Sequence, residues 1–139
     1  MKKHSPSTRL FIISTTVICL LFLFGVPLAA ETVKYPLYYP EGQNGISKYP
    51  LFWLQVPRGK EVTVEIVAEP KVECTMSVGE EGKRVLATKY NATVMHFSTS
   101  GLDKELNTLM LTIQPRATDS FTKFIEKGGK WKGEVVVRW

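Results

Sequence analysis

Glu61-Val62-Thr63-Val64-Glu65-Ile66-Val67-Ala68-Glu69-Pro70-Lys71-Val72-Glu73-Cys74-Thr75-Met76-Ser77-Val78 is the stretch on which the fold turns. In its first half Val62, Val64, Ile66 and Ala68 fall on one face and Thr63, Glu65 and Glu69 on the other. An apolar period of two is the pattern of a half-buried strand. The second half repeats it, with Val72, Cys74, Met76 and Val78 inward and Lys71, Glu73, Thr75 and Ser77 outward. Pro70 cannot donate to a ladder, so Glu69-Pro70 marks a bend, a bulge or a switch between sheets.

The same period continues on both sides. Gly79-Glu80-Glu81-Gly82 suits a four-residue hairpin loop, and further strands are expected over residues 84–90, 92–99, 107–114 and 131–139. Upstream, residues 51–56 form another between Pro50 and Pro57-Arg58-Gly59, and residues 32–39 a shorter one. About eight short strands without intervening helices imply an all-β, antiparallel sandwich or barrel. One segment departs from the period. Over residues 118–129 Phe121, Phe124 and Ile125 are spaced i, i+3, i+4, Thr118 or Asp119 can cap the start, and Lys127-Gly128 suits the end. A short helix is expected near residues 119–127, its apolar edge closing one end of the sandwich.

The chain start has another composition. Residues 1–9 carry Lys2, Lys3 and Arg9, residues 10–26 are an apolar run, and Pro27-Leu28-Ala29-Ala30 supplies small residues before Glu31. This is the layout of a secretory signal over residues 1–30, leaving a single β domain over 31–139, secreted through a periplasm, with no membrane span after cleavage; the alternative is an uncleaved anchor, since the apolar run approaches the roughly 20 residues that span hydrocarbon. Cys19 does not make a lipoprotein signal, because Ile18 precedes it and the apolar run continues past it. Without the leader the chain holds 15 basic and 13 acidic residues, a balance that argues against a nucleic-acid partner. Cys74 is then a lone cysteine, expected inert on a buried strand face.

Catalytic material is scarce. Beyond the leader the sequence has one histidine, His96, one cysteine and two aspartates, Asp103 and Asp119; a serine-hydrolase triad would have to use the scarce types at once, and one His and one Cys fall short of the ligands zinc takes. A Cys74/His96 dyad would need a thiol that the alternation places in the core. No enzyme activity and no cofactor are expected. Lys123, Lys127, Lys130 and Lys132 interleave with Phe121, Phe124 and Trp131. That mixture could grip an anionic glycan or nucleic acid, but it is more simply read as inward aromatics beside solvated lysines. Asn91-Ala92-Thr93 is formally a glycosylation sequon.

Tyr35-Pro36-Leu37-Tyr38-Tyr39-Pro40 has the least ordinary local composition. Val33, Tyr35, Leu37 and Tyr39 share one face of an extended segment, and its prolines confine it to an edge. It suits either an edge strand or an arm that packs on another molecule. At the other end Trp131, Gly133, Val135, Val137 and Trp139 line one face of a strand that must be buried.

The C-terminal pattern, Thr108-Leu109-Met110-Leu111-Thr112-Ile113-Gln114-Pro115 followed by Gly129-Lys130-Trp131-Lys132-Gly133-Glu134-Val135-Val136-Val137-Arg138-Trp139, resembles the ending of chaperone/usher fimbrial subunits. Residues 62–70 also resemble the opening strand of colonisation-factor pilins, although 30 residues separate that strand from the expected mature start. The resemblance spans residues 61–139. It implies an immunoglobulin-like sandwich that lacks one strand and is completed by a periplasmic chaperone, then by the next subunit. The expectation is therefore a pilin-like adhesive surface subunit that self-assembles by strand addition, guided by chaperone and usher. Its partner-strand contacts would be Val33, Tyr35, Leu37, Tyr39, Trp131, Val135, Val137 and Trp139. The alternative is a periplasmic or secreted inhibitor or ligand-binding module, monomeric, using that arm or the loop around Gly101-Leu102-Asp103.

Overall fold

The computed structural model describes residues 31–40 and 49–139. The expected leader lies outside them. Among the described residues, eight strands and one helix follow in the order β1 (Thr32–Tyr39), β2 (Leu51–Pro57), β3 (Glu61–Glu69), β4 (Cys74–Gly79), β5 (Val85–Ala92), β6 (Val94–Ser98), β7 (Leu106–Pro115), α1 (Asp119–Glu126) and β8 (Trp131–Arg138). They form two four-stranded antiparallel sheets, ordered β1-β8-β3-β6 and β2-β7-β4-β5. The all-β sandwich with one short helix read from the apolar period is the architecture observed. In the first sheet β3 lies between β8 and β6, and in the second β7 lies between β2 and β4.

The inward faces meet in one core. Val62, Val64 and Ile66 of β3 face Cys74, Met76 and Val78 of β4 and Leu109, Leu111 and Ile113 of β7, all buried. Each such side chain contributes roughly 1.5–3 kcal/mol relative to exposure, which is what offsets the ordering of so many short segments.

Two of the crossings from sheet to sheet have a visible cause in the local sequence. At Pro70 it leaves the β1-β8-β3-β6 sheet and enters the other, so the missing N–H marks a sheet switch. The crossing uses residues 71–73, and β4 accordingly begins at Cys74 rather than Lys71, with the Arg116 N–H donating to the Glu73 carbonyl at 2.9 Å. The return crossing lies between β5 and β6, where Asn91 takes φ 48°, a left-handed conformation that asparagine tolerates better than most residues.

Helix α1 follows its sequence signals closely. Thr118 is the N-cap, its Oγ1 accepting from the Phe121 N–H at 3.3 Å. At the C-terminus Gly128 (φ 86°) donates to the Ile125 carbonyl at 3.0 Å and Gly129 to the Phe124 carbonyl at 2.9 Å, closing a Schellman turn. Its apolar edge closes one end of the sandwich. Phe121 is buried there, with its ring centroid 6.3 Å from Tyr39 and 6.0 Å from Trp131. Trp131 is fully buried, and its indole N–H donates to the Pro70 carbonyl at 2.9 Å. The opposite end is closed by polar groups: buried Thr99 donates from Oγ1 to the Pro57 carbonyl at 2.7 Å and accepts from the Lys60 N–H at 2.8 Å.

Candidate functional site

The residues singled out at the two chain ends meet in one seam. β1 and β8 pair antiparallel along their whole length, Val33 with Val137, Tyr35 with Val135, Leu37 with Gly133 and Tyr39 with Trp131. Trp139 lies beyond the last pair, partly buried against the core, and its N–H donates to the Glu31 carbonyl at 3.0 Å. All eight expected contact residues therefore converge, and they do so within one chain. The place beside β8 that strand addition would offer a neighbour is filled by the chain's own arm.

Sequence alternation explains the seating. Leu37 is 2% exposed, and Tyr35 and Tyr39 are half-buried against the core. Opposite Leu37 stands Gly133, where a Cβ would collide with the Val67 carbonyl oxygen and Ala68 of β3. β8 thus approaches β3 more closely than any side chain allows, and Leu37 covers the space that results. Tyr35 reaches the other sheet, its ring edge-on to Phe52 at 6.0 Å. Burial pushes its phenol pKa up, against the smaller opposing effect of a backbone hydrogen bond with Gln55. On the outer side Lys34 pairs with Glu134 at 3.8 Å and Arg138 with Glu65 at 2.9 Å. In register, Val136 lies between Lys34 and Glu65, so an outward valine is only 3% exposed.

The chemical candidates are dispersed. Cys74 is fully buried on β4, its Sγ 3.3 Å from the Val72 carbonyl, and burial, with the nearby Glu73 charge, pushes the thiol pKa up to about 12. It is a thiol, not the thiolate that nucleophilic chemistry uses. His96 stands on β6 of the other sheet, with Nδ1 3.0 Å from the Thr63 hydroxyl, so the two do not form a dyad. Among the described residues no three His, Cys, Asp or Glu side chains group as metal ligands. Nor is any described helix long and apolar enough to cross a membrane. In the basic-aromatic segment Phe121 and Trp131 point into the core, while Lys130 and Lys132 lie 5.9 and 5.5 Å from the Tyr38 ring centroid. The loop around Gly101 is anchored by Leu102, 3% exposed. A 370 Å³ cavity beside α1 is lined by Lys71, Glu73, Arg116 and Phe121, with Arg116 and Glu73 paired at 3.2 Å.

One surface escaped the sequence reading. The outer face of the β2-β7-β4-β5 sheet exposes Trp53 among hydroxyl and amide side chains. The signal was available in the outward set of each strand, which carries glutamates on β3 but Thr75 and Ser77 on β4. Together these features define a class of protein, an antiparallel β-sandwich whose edge is completed by its own N-terminal arm. No family model, curated protein or solved structure matches the chain.

Proposed function

We propose that the chain is an exported binding module, complete as a monomer, and not a subunit that waits for a neighbour's strand. The observation that carries this reading is the eight-pair register of β1 on β8 with Leu37 buried inside it. An edge that satisfies its backbone and apolar groove internally presents no vacancy for a donated strand. Export is supported by the tripartite leader, and a binding role by the dispersal of the catalytic residue types. The test is the mass of the exported chain by light scattering over a hundredfold range of concentration. A single-chain mass throughout, with no uptake of a peptide spanning residues 31–40, is expected.

The second reading is pilin-like assembly by exchange of the same arm, helped by a chaperone and usher. It is favoured by one observation: β1 is an edge strand whose ladder partner is β8 alone, so the same register would form between copies. Concentration-dependent dimers or ladders that the peptide disperses would establish it and overturn the monomeric reading.

A further inference from the structure

We propose that the outer face of the β2-β7-β4-β5 sheet binds an unbranched, uncharged oligosaccharide laid across the strands, with Trp53 stacking on a sugar ring. The proposal deepens the binding-module reading and rests on it. Strand register places the side chains in rows that run across the sheet. Trp53 pairs with Met110, Met110 with Gly79, and Gly79 with Val85, a continuous apolar row over four strands. Trp53 is 44% exposed and Val85 64%. Gly79 adds no side chain to the middle of the row, and the place a Cβ would take is filled by the backbone of Arg84 and Val85, so the row is flat there.

A hydroxyl row runs beside it, Thr112, Ser77 and Thr88 on three successive strands, with Gln55 and Thr108 paired on its other side. Thr108 Oγ1 accepts from Gln55 Nε2 at 2.8 Å, while Ser77 and Thr88 stand 3.5 Å apart. Thr112 Oγ1 donates to the Ser77 carbonyl at 3.4 Å; beyond these bonds the hydroxyl oxygens keep acceptor lone pairs, and the Gln55 amide keeps its second hydrogen, for a ligand. Where the rows meet the β4–β5 turn, Ser77, Gly79, Met110 and Thr112 open into a 260 Å³ cavity. The charged groups lie at its rim and not in the rows: Glu80 and Arg84 stand 3.9 Å apart, Arg84 also donates to the Gly101 carbonyl at 2.8 Å, and Lys83 lies beside them.

Charge decides the occupant. None of the side chains in these rows is ionisable, whereas the opposite sheet carries Lys34, Glu65, Glu134 and Arg138 on its outer face. Nucleic acids and anionic glycans need paired cations that the rows do not offer. A neutral glycan alternates C–H ring faces, which stack on indole, with hydroxyls, which suit Ser, Thr and Gln. Four strands spaced about 4.8 Å apart span roughly 14 Å, room for about three hexose rings in line.

The experiment is calorimetric titration of the exported full chain with cellohexaose, chitohexaose and maltohexaose, alongside oligogalacturonate as the charged control. At least one neutral hexaose is expected to bind, with affinity reduced at least tenfold by Trp53→Ala, partly kept by Trp53→Phe, and lowered severalfold by Ser77→Val. Circular dichroism checks that each variant is folded. Absence of binding by all three, binding that survives Trp53→Ala in a folded variant, or equal binding of oligogalacturonate would overturn the proposal. So would a dimer without sugar affinity that Trp53→Ala dissolves, since the face would then bind a second copy. Light scattering on the same samples separates the two readings. A sugar-binding polymer refutes the monomer and keeps the glycan face, and a monomer that binds no sugar does the reverse.

Discussion

Replacing Leu37 with alanine tests whether arm and body fold as one unit. The side chain is 2% exposed and stands opposite Gly133, which has no side chain to move into the space left behind. Leu→Ala changes in cores cost about 2–5 kcal/mol, depending on how far the site collapses. Here the edge position of β1 permits some relaxation and the glycine opposite permits little, which puts the cost near the middle, about 3 kcal/mol. A domain of about 110 residues has an unfolding entropy near 0.23 kcal/mol/K, so Tm should fall by about 13 °C. Against a total stability of roughly 5–15 kcal/mol that is a large fraction. The assays are thermal unfolding by circular dichroism and urea titration, where the midpoint should drop with an unchanged m-value. A Tm change under about 4 °C would show that Leu37 is not seated as described. A reduced m-value with little change in midpoint would show that the arm detaches separately from the body, and would refute the single-unit argument.

The remaining expectations are smaller in scope. Gly133→Ala should cost more than Leu37→Ala and leave most of the protein insoluble, because its Cβ meets β3 backbone and not a movable side-chain tip; soluble yield and Tm check it. Thr99→Val should cost about 1–3 kcal/mol by urea titration, since it strands the Pro57 carbonyl and the Lys60 N–H without their partner. Native Cys74 should resist alkylation and react on denaturation, and Cys74→Ala should cost about 1–2 kcal/mol as a small cavity. Because burial pushes the folded thiol from the ordinary value of 9.0 up to about 12, the native state keeps its proton over that range while the unfolded chain loses it. The thiol's contribution is therefore complete below pH 9 and lost as pH rises from about 9 to 12. Over that window the parent should lose more stability than Cys74→Ala; equal losses in urea titrations at pH 8 and 10.5 would contradict the burial.

Much of this molecule is written in its local sequence. The period-two alternation placed the strands and their inward sets, and the Thr118 cap with Lys127-Gly128 placed the helix to within a residue or two. It could do so because alternation, capping and missing N–H groups are properties of neighbouring residues. Other features follow from contacts between residues distant in the chain. Nothing local indicates that Pro70 switches sheets where Pro36 merely sits in an edge strand, or that β8 pairs with β3. The arm is the sharpest case. Val33, Tyr35, Leu37 and Tyr39 announce a strand that needs a groove, but the same alternation serves a groove in its own chain or in a neighbour's. That the groove is its own, beside β8 and opposite Gly133, is a fact of register. So is the row that joins Trp53, Met110, Gly79 and Val85: these residues come from four strands, and only the hydrogen-bond ladders of the folded sheet bring them side by side.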